Sequence, residues 1–207
     1  MSLVSTKQAG LAGFTKYRSL ADASGNPVFN IPGMVLMKPT SITHSGTSAT
    51  LGANGQVTFT AVTSLSLNGC FTADFDNYVL SVRDVGSGNL VIRGRLRTGG
   101  SDASGSDYTV QYLEANNTSV FGGRYTQSDF IIGATDSTVR SGDSVMIYGP
   151  NLAQPTATRV VNVGGNSSAR ITDAACTHSL STAYDSFTIF MSSGNITGAC
   201  AVYGIRS

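Results

Sequence analysis

An all-β fold, an antiparallel sandwich or barrel behind an irregular N-terminal arm, is what this sequence predicts, and three observations predict it. Short runs in which apolar and polar residues alternate recur at spacings of roughly 8–15 residues. Gly, Asn, Ser and Asp fill the intervals between them, as turn chemistry requires. No stretch holds a helical apolar period for about ten residues, and no internal repeat is visible, so a βαβ arrangement is not expected.

The elements follow in order. Residues 1–33 have mixed periodicity and end in the punctuation Asn26-Pro27 and Pro32-Gly33. They read as an anchoring arm with one weak helical turn, and with the following linker the arm is expected over residues 1–45. After the break "HSGTSATLGANGQ" the sandwich domain is expected over residues 46–207. Strand candidates are Met34–Met37, Gln56–Val62, Tyr78–Val85, Leu90–Arg97, Tyr108–Leu113 and Asp129–Ile132. Beyond these come Ser144–Tyr148, Ala157–Val163, Ala169–Thr172, Ser186–Met191 and Ala199–Ile205.

Alternation assigns the faces, because successive strand side chains point to opposite sides. Tyr78, Leu80 and Val82 form one inward set, and Leu90, Ile92 and Leu96, with Gly94 between, form a second. Phe187, Ile189 and Met191 give a third, and Ala199, Ala201, Tyr203 and Ile205 a fourth. Val91, Arg93, Arg95 and Arg97 then point outward together.

Composition narrows the function classes. Of 207 residues only 12% are charged, 41% are hydrophobic, Gly numbers 24 and Trp is absent. A core is therefore attainable and solubility rests on uncharged polar residues. With 13 Lys+Arg against 12 Asp+Glu the net charge is +1, which argues against a nucleic-acid binder. The segment "MSLVSTKQAGLAGFTKYRSLAD" has no unbroken apolar region of the signal-peptide kind. No apolar stretch approaches the ~20 residues of a membrane helix, so synthesis in the cytosol without membrane insertion is expected. Cys70, Cys176 and Cys200 have no paired spacing and read as buried free thiols.

Candidate chemistry is sparse. His44 and His178 lie in no motif with a mechanism, and Cys176 and His178, two apart on a strand, would meet only loosely. "GGSDASGSDY" carries Asp102 and Asp107 with Ser104 and Ser106 as possible calcium oxygens, but it fails the EF-hand pattern and reads better as a turn. The Arg93, Arg95 and Arg97 row admits three readings. It could bind an anionic glycan or phosphate through bidentate contacts, meet a neighbouring copy, or pair with Asp74, Asp84 or Asp107 on a solvated face. The candidate ligand or inter-subunit residues are thus Arg93, Arg95, Arg97, Asp102, Asp107 and Tyr108. No catalytic residue, metal or cofactor is expected.

Four strings, in this order, resemble a family of bacteriophage virion proteins of the tail-fibre, minor-tail and appendage kind. They are "VTFTAVTSLSLNGCFTADFDNYVLSV", "LRTGGSDASGSDYTVQYLEANNTSV", "YGPNLAQPTATR" and "THSLSTAYDSFTIFMSSGNITGACAVYGIRS". In the third, Pro150 precedes Asn151, where the family's text has the reverse. The resemblance spans roughly three quarters of the chain, the extent of one β domain, and leaves out residues 1–45. It implies a jelly-roll-like sandwich in a homotrimer, displayed on the virion and contacting host surface glycan, with no catalytic motif. One alternative is a capsid or tail decoration (cement) protein that binds other virion proteins through residues 1–45. Another is a polysaccharide-degrading spike, disfavoured because Glu114 is the single Glu and the Asp residues are scattered. Val79 and Val91 share faces with Arg83 and the arginine row, so that outer face is expected to be the one a partner covers.

Overall fold

The computed structural model describes residues 33–165 and 169–206; the expected arm lies outside the described residues as far as residue 32. Among the described residues every regular element is a strand. They are β1 (Gly33–Met37), β2 (Ser41–Leu51), β3 (Val57–Asn68), β4 (Asn77–Gly86), β5 (Leu90–Thr98), β6 (Ser101–Asp102) and β7 (Tyr108–Asn116). There follow β8 (Ser119–Gln127), β9 (Phe130–Thr135), β10 (Ser141–Tyr148), β11 (Thr156–Gly165), β12 (Ala169–His178), β13 (Ser186–Met191) and β14 (Ile196–Arg206). The protein is all-β, as its patterning predicts.

The strands form one antiparallel sheet in the order β6-β5-β13-β3-β14-β4-β10-β11-β12-β7-β8. β9 adds beside β5, β2 beside β3 and β1 beside β14. The sheet curls into a half-barrel, so that β9 packs across β10 and β11 as the facing layer of a sandwich. Strand pairing begins at Gly33, ahead of the boundary expected between residues 45 and 46: β1 pairs with β14 and β2 with β3. β2 reads as a break in the sequence because it is rich in Ser, Thr and Gly and mostly solvent-facing.

Three of the four expected inward sets are inward, with Tyr78, Leu80, Val82, Ile92, Leu96, Phe187, Ile189 and Met191 all buried. The fourth has the wrong parity. Cys200 and Val202 enter the core, while Ala199, Ala201 and Tyr203 lie beside the outer-face residues Arg83, Ser81 and Val79. Alternation misassigns this strand because both faces carry apolar residues, with Ala199 and Ala201 buried at 8% on one and Ile196, Cys200 and Val202 in the core on the other; the extra residue of the nearby bulge lies on β3. Gly94 has a packing reason: a Cβ there would stand 2.7 Å from the Phe130 ring and 2.8 Å from Phe187, two rings whose centroids are 5.6 Å apart.

The curl is made at β3. Ala61 takes a left-handed backbone with φ 46°, and its N–H leaves the ladder to donate to Thr197 Oγ1 at 2.9 Å. Both neighbours shift register there, β2 between Ser45 and Gly46 and β14 between Ile196 and Gly198. Gly46, at φ +111°, allows the close approach, since any Cβ would run into the Ala61 carbonyl. Gly46→Ala is therefore expected to cost about 1–3 kcal/mol. Ala61→Gly, which relieves a left-handed residue, is expected to leave the urea midpoint unchanged or higher. Equal losses in both variants by chemical denaturation would contradict the strained bend.

Candidate functional site

Sheet alternation puts Arg93, Arg95 and Arg97 on the outer side of β5, opposite buried Ile92 and Leu96. Each guanidinium then finds a partner from a flanking segment. Arg93 Nη1 donates to Asp129 Oδ1 at 2.6 Å and to Gln127 Oε1 at 3.1 Å. Arg95 Nε donates to the Ser128 carbonyl at 2.9 Å, its Nη2 stands 4.0 Å from Asp129 Oδ2, and its guanidinium lies 4.4 Å over the Phe190 ring. Arg97 pairs with Asp102 at 2.6 Å and donates from Nε to Asn68 Oδ1 at 3.2 Å. Asp102 also accepts from Thr188 Oγ1 at 2.7 Å.

The row is thus a half-buried network in which Asp129 and Asp102 serve three cations. Its side chains retain 25%, 23% and 16% exposure, so part of each guanidinium still meets solvent. Partial burial makes these pairs stronger than fully exposed ones. The carboxylates differ from those expected. Asp84 is interior, Asp74 engages Thr72, and the Asp107 carboxylate turns back toward Gly105. Asp129, which begins the segment before β9, is the partner that spacing could not reveal.

Asp102 and Asp107 do not converge. The Asp107 carbonyl accepts from Ser179 N–H at 3.0 Å, at the far end of the loop. Tyr108 is buried beneath the platform. Its hydroxyl accepts from Leu96 N–H at 3.1 Å and donates to the Ala103 carbonyl at 3.0 Å, tying β5 to the loop. Its ring lies 4.2 Å from that of His178, whose Nε2 meets Tyr184 Oη at 2.6 Å. Burial holds His178 below the usual imidazole range, partly opposed by Asp107. Burial also pushes Cys176 and Cys200 up to about 12 and raises Cys70 as well, so none is an activated thiol. All three cysteines are free and buried, as the sequence suggests.

Two further features escape sequence reading. Asp84 and Asp143 are buried together, with Asn162 Nδ2 donating to Asp143 Oδ1 at 2.6 Å. Burial raises both carboxyls, and their mutual proximity raises Asp143 further. A signal existed, because Asp84 continues the inward row Tyr78, Leu80, Val82. Among the described residues no three His, Cys, Asp or Glu form a metal-holding group.

The second is an apolar row on the outer face of the wing β11-β12-β7-β8. Val163, Ile171, Ala115 and Val120 stand in register across the wing's strands, with Val161 and Leu113 in the next row. Exposure is 55% for Val163, 55% for Ile171, 74% for Val120 and 59% for Leu113. The apolar exposure expected around Val79 and Val91 is therefore located elsewhere: those two are only partly exposed. β8 is missed by patterning because "SVFGGRYTQ" has Gly122-Gly123 at its centre.

Comparison with protein-family models finds no match to this chain, and comparison with curated proteins finds none either.

Asp129→Asn leaves Arg93 and Arg95 without their anion and is expected to cost about 1–3 kcal/mol by urea denaturation. Asp173→Asn, at the exposed Arg159 pair, is expected to cost much less. His178 gives a pH test. Its lowered value means the fold favours the neutral ring, so this contribution is present above the unfolded value of about 6.5 and is lost as pH falls through the folded value. His178→Gln is expected to flatten the dependence of melting temperature on pH in that window; an unchanged slope would refute it.

Proposed function

We propose that the protein is a non-enzymatic structural component of a bacteriophage particle, displayed as a homotrimer that contacts the host surface. The ordered strings that resemble virion proteins supply the setting. The observation that carries the reading is the exposed apolar wing.

Val163, Ile171, Ala115 and Val120 form an apolar row on one sheet face, flanked by Val161 and Leu113 with Asp173 between those two. Such a stripe on a chain with few charges calls for a covering partner. β8 ends the strand order, so its outer edge also offers unpaired backbone groups. Copies of this chain, related by closed symmetry, would cover both. The arginine row lies on β5, meeting the wing at Gln127, the last residue of β8 and far along that strand from Val120. Its net +1 with three guanidiniums, beside Phe190 and Gln127, suits a carboxylated or phosphorylated glycan.

The reading is tested by mass and by ligand. Light scattering is expected to give three chains, and Ile171→Asp is expected to give a folded monomer. A monomeric wild type would refute the assembly. Host envelope polysaccharide is expected to be retained without being shortened. Depolymerisation would move the protein to the enzymatic spikes, and capture by empty particles with indifference to glycan would make it a decoration protein. Deleting residues 1–32 is expected to leave the trimer intact and to abolish incorporation into virions.

A further inference from the structure

The inner face of the curled sheet is apolar at its centre and polar at one end. The strand register explains the change. Asp84 on β4 stands beside Ser141 on β10, and Asp143, two residues along β10 on the same face, stands beside Asn162 on β11. β9 crosses above them from the facing layer. Gly133 is required there because a Cβ would collide with Asp143 Oδ1. Thr135 follows on β9, buried like the others.

All five polar side chains are sealed: Asp84, Thr135 and Asn162 are 0% exposed, Ser141 2% and Asp143 4%. Asn162 Nδ2 holds Asp143 in place and also donates to the Ala134 carbonyl at 3.3 Å. Beyond that bond the cluster is unsatisfied. Both oxygens of Asp84, Asp143 Oδ2, Ser141 Oγ, Thr135 Oγ1 and Asn162 Oδ1 have no hydrogen-bond partner. A buried polar atom left unpaired is destabilising, so six around two carboxyls call for an occupant. Among the described residues no basic side chain pairs with Asp84 or Asp143. The inward cation on this face, Arg170, lies on β12 and is turned to Glu114 at 3.5 Å.

We propose that this buried pole is a binding site for a hard divalent cation of the calcium class. Two carboxylates balance the charge of one dication. The remaining donors are hydroxyl and amide oxygens, which suit calcium and not zinc, which prefers nitrogen and sulfur. A calcium ion takes about 6–8 oxygens at roughly 2.3–2.6 Å in tolerant geometry. Asp84 pairs with Ser141 and Asp143 follows two residues along β10 on the same buried face, so both carboxyls can turn to one ion. Magnesium keeps most of its waters and fits a sealed pole poorly. The site joins β4, β10 and β11 to β9, so the ion ties the two layers of the sandwich together.

The experiment uses the full chain, stripped with chelator and titrated with calcium chloride, read by calorimetry and by melting temperature. One calcium per chain is expected. A rise of about 5 °C or more is expected at calcium roughly a hundredfold above Kd. Asp84→Asn with Asp143→Asn, an isosteric pair of changes, is expected to abolish both responses. Asp102→Asn with Asp107→Asn, in the exposed Asp/Ser loop, is expected to leave them intact. No calcium uptake by the stripped wild type would overturn the proposal, and that result does not depend on any variant folding. Uptake that persists in the Asp84/Asp143 variant, or disappears in the Asp102/Asp107 variant, would also overturn it.

Discussion

With strands as its only regular elements, the described chain has to bury its sheet against itself, and the rest of the structure depends on how that is done. Backbone hydrogen bonding runs unbroken from β6 to β8. The sheet turns over at β3 and β14, where Ala61 leaves the ladder. That bend brings β9, β5, β13 and β3 to face β4, β10, β11, β12 and β7. The large buried side chains, among them Tyr78, Tyr108, Phe130 and Phe187, fill the space between the layers. Burying each is worth about 1.5–3 kcal/mol. The strain at one residue is small beside what the closure gathers.

The layers are not uniform inside. Near Tyr108 the phenolic groups are partnered: its hydroxyl is shared between Leu96 and Ala103, and Tyr184 meets His178 Nε2. Near Asp84 the polar groups are not. The same inward row on β4 passes from Tyr78, Leu80 and Val82 to a carboxylate, so one end of the core has a different chemistry from the other. Buried polar groups are tolerated where something satisfies them. A bound cation would meet that condition and give the facing β9 a fixed position.

The outer faces differ for a related reason. On β5 the arginine row is clamped by Asp129 and Asp102 and partly covered, so it forms a rigid polar platform. On the β11-β12-β7-β8 wing no described residue covers Val163, Ile171 and Val120. A proposed assembly through the wing and a proposed ligand contact through the platform thus use different strands, which meet at Gln127 on the end of β8.

Local features are what the sequence makes legible. Period-two patterning decides strand and face, and it locates Tyr78 to Val82, Ile92 to Leu96 and Phe187 to Met191 inside with the arginines outside. It also shows Cys70, Cys176 and Cys200 to be structural, since nothing in their spacing makes a pair. β2 and β8 were not legible, because Ser, Thr and Gly carry little apolar pattern when a strand is mostly exposed. The parity of β14 was hidden because Ala199 and Ala201 alternate with Cys200 and Val202, so that both faces read as apolar. Partner choice was decided only by tertiary structure. Asp129 reaches Arg93, and Asp143 reaches Asp84, because pairing between strands distant in sequence sets which side chains share a face, and a single strand's alternation cannot specify its neighbour.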